Sequence, residues 1–295
     1  MSVHQRIAIT GASGLIGTAL VGHLKAEGHT VQRLVRRAPV GADEVQWDPQ
    51  TGFVDLEPLR GVDAVIHLAG VGVGDKRWSK KYKSEILNSR LLGTTAIANA
   101  VTELKPQVFI SASAIGWYGE SGNRAVVETD RVGDDFLAAV CREWEAAADL
   151  AQDVRTVKIR TGLVLDPTGG ALGKMLPLFR LGLGGKLGNG KQWWSWITLH
   201  DQIRAMLFLM NSKIEGAVNL ASPNPVTNQE FTAALARAMK RPAIFPAPAF
   251  ALRAVLGGFS TEVLGSKKVI PQVLMDNKFE FAYPHVSAAL TALVD

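Results

Sequence analysis

The feature that most constrains this chain is a turn of three glycines, Gly11-Ala-Ser-Gly14-Leu-Ile-Gly17, placed directly after the β-rich run of residues 6–10. Beyond it, Leu15, Ile16, Ala19, Leu20 and Leu24 recur at helical spacing. A strand that enters a helix through so tight a turn needs backbone unencumbered by side chains, and Gly17 lets the helix lie close on the strand. The first N–H groups of a helix have no partner within it, so this junction also offers a cradle for phosphate. At the first strand-to-helix junction of the chain, the spacing fits the pyrophosphate of a dinucleotide better than it fits an ordinary Gly-rich turn.

The alternation continues downstream. Residues 30–35, 64–68, 108–111 and 156–159 read as strands, and residues 89–104 and 136–151 as helices. Apolar strands separated by helices predict an α/β fold, a Rossmann-type doubly wound parallel sheet covered on both faces. After about residue 165 glycine and proline become frequent, with helices expected at 201–210, 228–239 and 286–293 and a linker at Pro242, Pro246 and Pro248. The expected organisation is a nucleotide-binding domain over residues 1–165, its sheet completed by later segments. A substrate-side region over 166–245 and a small C-terminal helical domain over 246–295 follow.

Which nucleotide depends on the end of the second strand. A carboxylate about 20 residues beyond such glycines holds the ribose hydroxyls of NAD. This chain instead has Arg33-Leu-Val-Arg36-Arg37, with no acid before Asp43. Guanidinium groups there suit a 2′-phosphate, so NADP(H) is the expected cofactor, with Arg36 and Arg37 as its phosphate partners.

Composition narrows the remaining classes. The formal charge of +5 comes from scattered basic residues whose local pairs (Arg36-Arg37, Lys80-Lys81, Lys267-Lys268) form no stripe, so no nucleic-acid partner is expected. Cys141 is the only cysteine and the six histidines lack ligand spacing, which argues against a disulfide and predicts no metal. No run approaches the roughly 20 apolar residues of a membrane helix, so no membrane partner is expected. The strand at residue 6 leaves no room for a leader, which points to the cytoplasm. A monomer or a homodimer fits the length.

Beyond the glycine turn stand His67-Leu-Ala-Gly70, Ser111-Ala-Ser113 followed by Trp117-Tyr118-Gly119, Arg160-Thr-Gly162, Arg77-Trp78, Ser89-Arg90, the run from Gln192 to Ile197 and a tail from Pro271 to Pro284. With these motifs the chain resembles an extended short-chain dehydrogenase/reductase, and within that superfamily the epimerase family of the YfcH-like (39U) type, which has a small C-terminal domain. The resemblance implies that Gly11, Ser13, Gly14, Leu15 and Ile16 bind the pyrophosphate and that Arg36, with Arg37, meets the 2′-phosphate. It implies that Leu68, Ala69 and Gly70 pass along the cofactor, that Ser111 and Ser113 face nicotinamide and substrate, and that Thr161, Gly162, Leu163 and Val164 border the nicotinamide. Asp48 lies by the adenine or in a plain surface loop.

Ordinary members of that superfamily use a tyrosine with a lysine four residues later, the lysine lowering the phenol pKa for proton transfer. The residues four positions after Tyr82, Tyr118 and Tyr283 are Ile86, Gly122 and Ser287. The expected positions fall on Phe136 and Val140, which with Trp144 make an apolar stripe. Any surviving chemistry is therefore assigned to Ser113 and Tyr118. Gln192 and Ser195, in a loop with three of the seven tryptophans, read either as substrate contacts or as packing against the tail, and Asp201 reads as a helix N-cap. Two functions stand: an NADP(H)-dependent oxidoreductase or epimerase-like enzyme on a small carbonyl, alcohol or nucleotide-sugar-like compound, and a non-catalytic NADP(H)-binding sensor.

Overall fold

A computed structural model describes residues 4–294. The first half of the chain alternates strand and helix: β1 (Arg6–Thr10), α1 (Leu15–Ala26), β2 (Thr30–Val35), β3 (Glu44–Asp48), β4 (Phe53–Val54), β5 (Ala64–His67), α2 (Lys80–Leu104), β6 (Val108–Ala114), β7 (Ala125–Val126), α3 (Phe136–Ala148) and β8 (Thr156–Thr161). The second half is more broken: β9 (Leu163–Asp166), α4 (Gly170–Arg180), β10 (Trp193–Trp194), β11 (Trp196–Thr198), α5 (Leu199–Met210), β12 (Gly216–Leu220), β13 (Val226–Thr227), α6 (Asn228–Ala238), α7 (Ala249–Leu256), α8 (Ser260–Leu264), β14 (Lys268–Val269), α9 (Gln272–Asp276) and α10 (Val286–Val294).

Eight strands form one sheet in the order β12-β8-β6-β5-β1-β2-β3-β4, parallel throughout except for the β3–β4 hairpin. Alternate residues feed the two faces: Ile7 and Ile9 pack with Leu20 and Leu24 of α1 and Met206 of α5, whereas Ala8 packs with Ile97 and Val101 of α2. Strand order reverses at β1, with β2 on one side and β5 on the other, the point at which open α/β sheets leave a crevice beyond the carboxyl ends of their strands. Gly11 and Leu68 stand at those ends.

Several boundaries differ from the sequence expectation. Helix α2 starts at Lys80, nine residues earlier than read, because the Ser79 hydroxyl caps it by accepting from the Tyr82 N–H at 3.1 Å. Strand β3 was not read at all, since Glu44-Val-Gln-Trp-Asp carries polar residues and only Val45 and Trp47 reach the core. Asp201 is not the cap of α5. Thr198 is, accepting from the Asp201 N–H at 3.0 Å, while the Asp201 carboxylate accepts the Ala282 and Tyr283 N–H groups, each at 2.9 Å. The same carboxylate also accepts from Arg204 of its own helix at 2.9 Å, so it ties α5 to the tail.

The tail is laced to the body in other places too. Ser195 donates to the Lys267 carbonyl and accepts from the Val269 N–H, both at 2.8 Å, and β14 pairs with β7. Gln192 donates to the Leu187 carbonyl at 3.0 Å, and Trp196 is fully buried. The Trp-rich loop is thus packing that carries the C-terminal segment, the second of its two sequence readings.

Candidate functional site

The glycine turn is built to receive something against its backbone. Gly11 has φ of +68°, and a Cβ there would stand 2.8 Å from the carbonyl carbon of Leu68; a Cβ on Gly17 would stand 2.1 Å from the Gly11 oxygen. No side chain caps α1, as none caps α4 or α7, whereas Ser79, Asp135, Thr198 and Thr227 cap α2, α3, α5 and α6. The first N–H groups of α1 are left to a ligand or to water, with Ser13 and Gly14 exposed beside them and Leu15 and Ile16 partly exposed. Packed beside the turn, Leu68 and Ala69 are half-buried and Gly70 is exposed.

That wall is held from beneath. The Thr10 hydroxyl oxygen accepts from the N–H groups of Leu68 at 3.1 Å and Ala69 at 3.3 Å, so its own proton goes to His67 Nδ1 at 2.7 Å. His67 is therefore the Nε2–H tautomer, fully buried, its Nε2 unpartnered and its ring edge-on to Trp47. Burial pushes its pKa down to about 3, so the ring is neutral and orients backbone rather than transferring protons.

At the end of β2 the two arginines have separate fates. Arg37 puts both Nη atoms on Glu44, at 2.7 and 2.6 Å, and this pairing holds the Glu44 carboxyl well below its usual range. Hydrogen bonds from Arg33 and Lys25 do the same to Asp43. Arg36 is exposed and forms no ion pair or hydrogen bond among the described residues. The strand end thus presents one available guanidinium, the nearby acids being already paired. The expectation that Arg37 meets a phosphate conflicts with this arrangement, because the parallel register that sets Arg33 opposite Glu44 brings that carboxylate within its reach. Asp48 ends β3 half-buried and accepts from the Gln50 N–H at 2.9 Å and the Thr51 hydroxyl at 3.1 Å.

On the other side of β5, Ser111 has no exposed surface, which removes it from contact with a bound molecule. Ser113, one pleat nearer the crevice, donates its hydroxyl to Glu145 Oε1 at 2.7 Å. Glu145 in turn takes two bonds from Arg160, at 2.8 and 2.9 Å, and Arg160 donates to the Tyr118 oxygen and to the Glu128 carbonyl, each at 3.0 Å. The Tyr118 phenol donates to Asn219 Oδ1 at 2.7 Å, is buried, and has its pKa pushed by that burial up to about 12. Tyr118 is locked in a buried network, a poor proton source for a substrate, contrary to the role assigned from sequence; the packing that commits it joins residues up to 101 positions apart.

Thr161 accepts from Gln202 at 3.3 Å, and Gly162 lets β8 run against Ser195, whose oxygen would lie 2.7 Å from a Cβ there. Leu163 and Val164 pair with Trp196 and Ile197 and remain half-buried. Phe136 packs with Trp78 at 5.1 Å between ring centroids, and Val140 is buried with Tyr82 and Ile86, so the face of α3 that carries a tyrosine and lysine in ordinary relatives is a packing surface here.

One residue at this place was not assigned from sequence. Arg90 lies under Gly70, whose Cβ would stand 3.5 Å from Cζ, with its guanidinium 4.7 Å over the Trp144 ring. Its Nη1 donates to the carbonyls of Val71 at 2.9 Å and Ile86 at 3.2 Å, and no carboxylate pairs with it among the described residues. Burial lowers its pKa. The signal was present, since Arg90 interrupts the buried stripe Ile86, Gly93, Ile97 of α2.

The comparisons with known proteins agree with this geometry. Residues 7–221 match the NAD dependent epimerase/dehydratase family, and residues 247–293 match a domain of unknown function, DUF1731. This chain belongs to the epimerase family. A member from Mycobacterium leprae is 43% identical over 289 residues, covering 97% of this chain and 94% of that protein. The Homo sapiens epimerase family protein SDR39U1 is 35% identical over 298 residues, 98% of this chain and 100% of that protein. The crystal structure of human SDR39U1 (isoform 2) with NADPH superposes with a TM-score of 0.90 at 33% identity, covering 98% of this chain and 99% of that one. MoeE5 in complex with UDP-glucose and NAD, at 19% identity and a TM-score of 0.76, shows the shared fold alone.

Proposed function

We propose that this epimerase-family protein binds NADP(H) in the crevice between the glycine turn and Leu68-Ala-Gly70, and that it acts on a small carbonyl or alcohol. The observation that carries the cofactor is the uncapped N-terminus of α1 facing glycines whose Cβ positions are already filled by backbone, with Arg36 unpaired at the end of β2. Human SDR39U1, with NADPH in its crystal structure, supports the choice of nucleotide. Gly11, Ser13, Gly14, Leu15 and Ile16 hold the pyrophosphate, Arg36 the 2′-phosphate, and Leu68, Ala69, Gly70 and Thr161 to Val164 line the path toward the nicotinamide.

A bound NADP(H) supplies or accepts a hydride. The chain's own part is to place Ser113 and Arg90 by the reacting oxygen. When an alcohol is oxidised, Ser113 takes its proton while passing its own to Glu145, and the reverse path returns a proton to the oxygen of a reduced carbonyl, with the Arg90 guanidinium stabilising negative charge on that oxygen. Substrate contact follows the wall rather than the Trp-rich loop, whose polar groups are spent on the tail.

A second reading rests on Tyr118, Phe136 and Val140: with the usual proton donor absent and the remaining phenol locked, the protein is an NADP(H)-binding sensor without turnover. Screening carbonyl compounds for oxidation of NADPH, in parallel with Ser113→Ala and Arg90→Gln, separates the two. Turnover lost in both variants with cofactor affinity retained supports the enzyme; no oxidation by any carbonyl class leaves the sensor.

A further inference from the structure

The described residues expose eleven large apolar side chains prominently, and seven of them fall in two stretches, 174–188 and 240–255. Leu178, Leu181 and Leu183 come from the first, Ile244, Phe245, Phe250 and Val255 from the second. The stretches lie side by side: Phe245 donates its N–H to the Gly184 carbonyl at 3.2 Å, Ala247 to Lys186 at 2.9 Å, and Gly188 to Ala247 at 2.8 Å. Helix α7 follows at once, and although seven of its eight residues are apolar, none is buried. Exposed apolar side chains gathered on two adjoining stretches mark a surface suited to meet something other than water.

The charges around it are of one sign. Lys174, Arg180 and Lys186 lie in the first stretch and Lys240, Arg241 and Arg253 in the second, and neither stretch contains an Asp or Glu. None of these six forms a salt bridge among the described residues. Unpaired cations occur elsewhere among the described residues too, as Arg36 and Arg90 do, but here six stand in two adjoining stretches without an acid in either.

We propose that this face docks on an anionic lipid surface, with Ile244, Phe245 and Phe250 entering the headgroup region while the six cations meet lipid phosphates. A second copy is a poor occupant, because a two-fold contact through one patch would set six cations against six. A protein partner needs a surface of matching shape, whereas here the side chains project singly, Leu181 at 73%, Ile244 at 71% and Phe250 at 74% exposure. A fluid bilayer accommodates projections, and a patch of apolar side chains rimmed by lysine and arginine gains from insertion and from charge together. The expectation of no membrane partner rested on the lack of a spanning segment, which surface docking does not require.

The test is flotation of the full chain with vesicles of phosphatidylcholine alone and of phosphatidylcholine with phosphatidylglycerol, at low and high salt. The expected result is binding to the anionic vesicles only, weakened by salt and reduced about fivefold for each cation removed in Lys240→Gln and Arg241→Gln. Ile244→Ser with Phe250→Ser abolishes it, whereas Val40→Ser, an exposed apolar side chain outside the patch, leaves it unchanged. Circular dichroism and the thermal midpoint establish that each variant is folded. Absence of binding, binding indifferent to these variants, or a dimer in sedimentation that Ile244→Ser with Phe250→Ser dissociates would each overturn the proposal.

Discussion

Glu145→Ala is the substitution whose cost the structure lets one work out most fully. The Glu145 and Arg160 side chains are 5% and 4% exposed, and the carboxylate takes two guanidinium bonds and the Ser113 hydroxyl. Truncation strands a buried cation and an unpartnered hydroxyl, and removing one member of such a pair costs about 3–5 kcal/mol. At roughly 2–4 °C per kcal/mol for a chain of this size, the thermal midpoint falls by something on the order of 10 °C. Replacing both partners, Glu145→Met with Arg160→Met, leaves no buried charge and loses less than the single variant does. Thermal and urea denaturation of the wild type, Glu145→Met, Arg160→Met and the double variant measure the coupling. The reasoning fails if Glu145→Ala melts with the wild type, or if the double variant loses the sum of the singles.

Phe136→Tyr with Val140→Lys is expected to melt well below the wild type and to gain no reductase activity, because Val140 is 2% exposed and an unpaired buried lysine is costly; an unchanged midpoint would mean that this face is open. His67 is held neutral with its pKa near 3 against an unfolded value of about 6.5. Its contribution to stability is complete above about pH 6.5 and is lost as pH falls toward 3, at up to about 1.4 kcal/mol per pH unit. Acid unfolding of His67→Asn should be shallower by this one proton, and identical slopes would show that the ring titrates normally.

Much of this was legible because it is local. The glycine turn announces itself since Gly11 and Gly17 have no room for a side chain, a demand that the sequence must meet in place. The two-faced strands were visible in the apolar runs of β1 and β5. The expectations that failed turn on partners distant in the chain. Arg37 and Arg36 are alike in sequence, and only the register of β2 on β3 gives one of them to Glu44. Asp201 is by type the better cap, yet Thr198 caps α5 while the Asp201 carboxylate accepts the Ala282 and Tyr283 N–H groups, 81 and 82 residues away. Tyr118 reads from sequence as a candidate for chemistry, and only the packing of Asn219 and Arg160 around it shows its hydroxyl engaged. Arg90 and Glu145, by contrast, each break an apolar helical stripe, a signal that a charged group is being kept inside for a reason.

The central claim, an NADP(H) site with Arg36 as its phosphate partner, is tested most directly by titrating NADPH and NADH into the wild type and Arg36→Asp. One charge-assisted phosphate contact of roughly 1.5–3 kcal/mol predicts a wild-type preference for NADPH of about ten- to a hundredfold, abolished or reversed in the variant with NADH affinity little changed. Equal affinities in the wild type, or a preference that survives Arg36→Asp, would contradict the account.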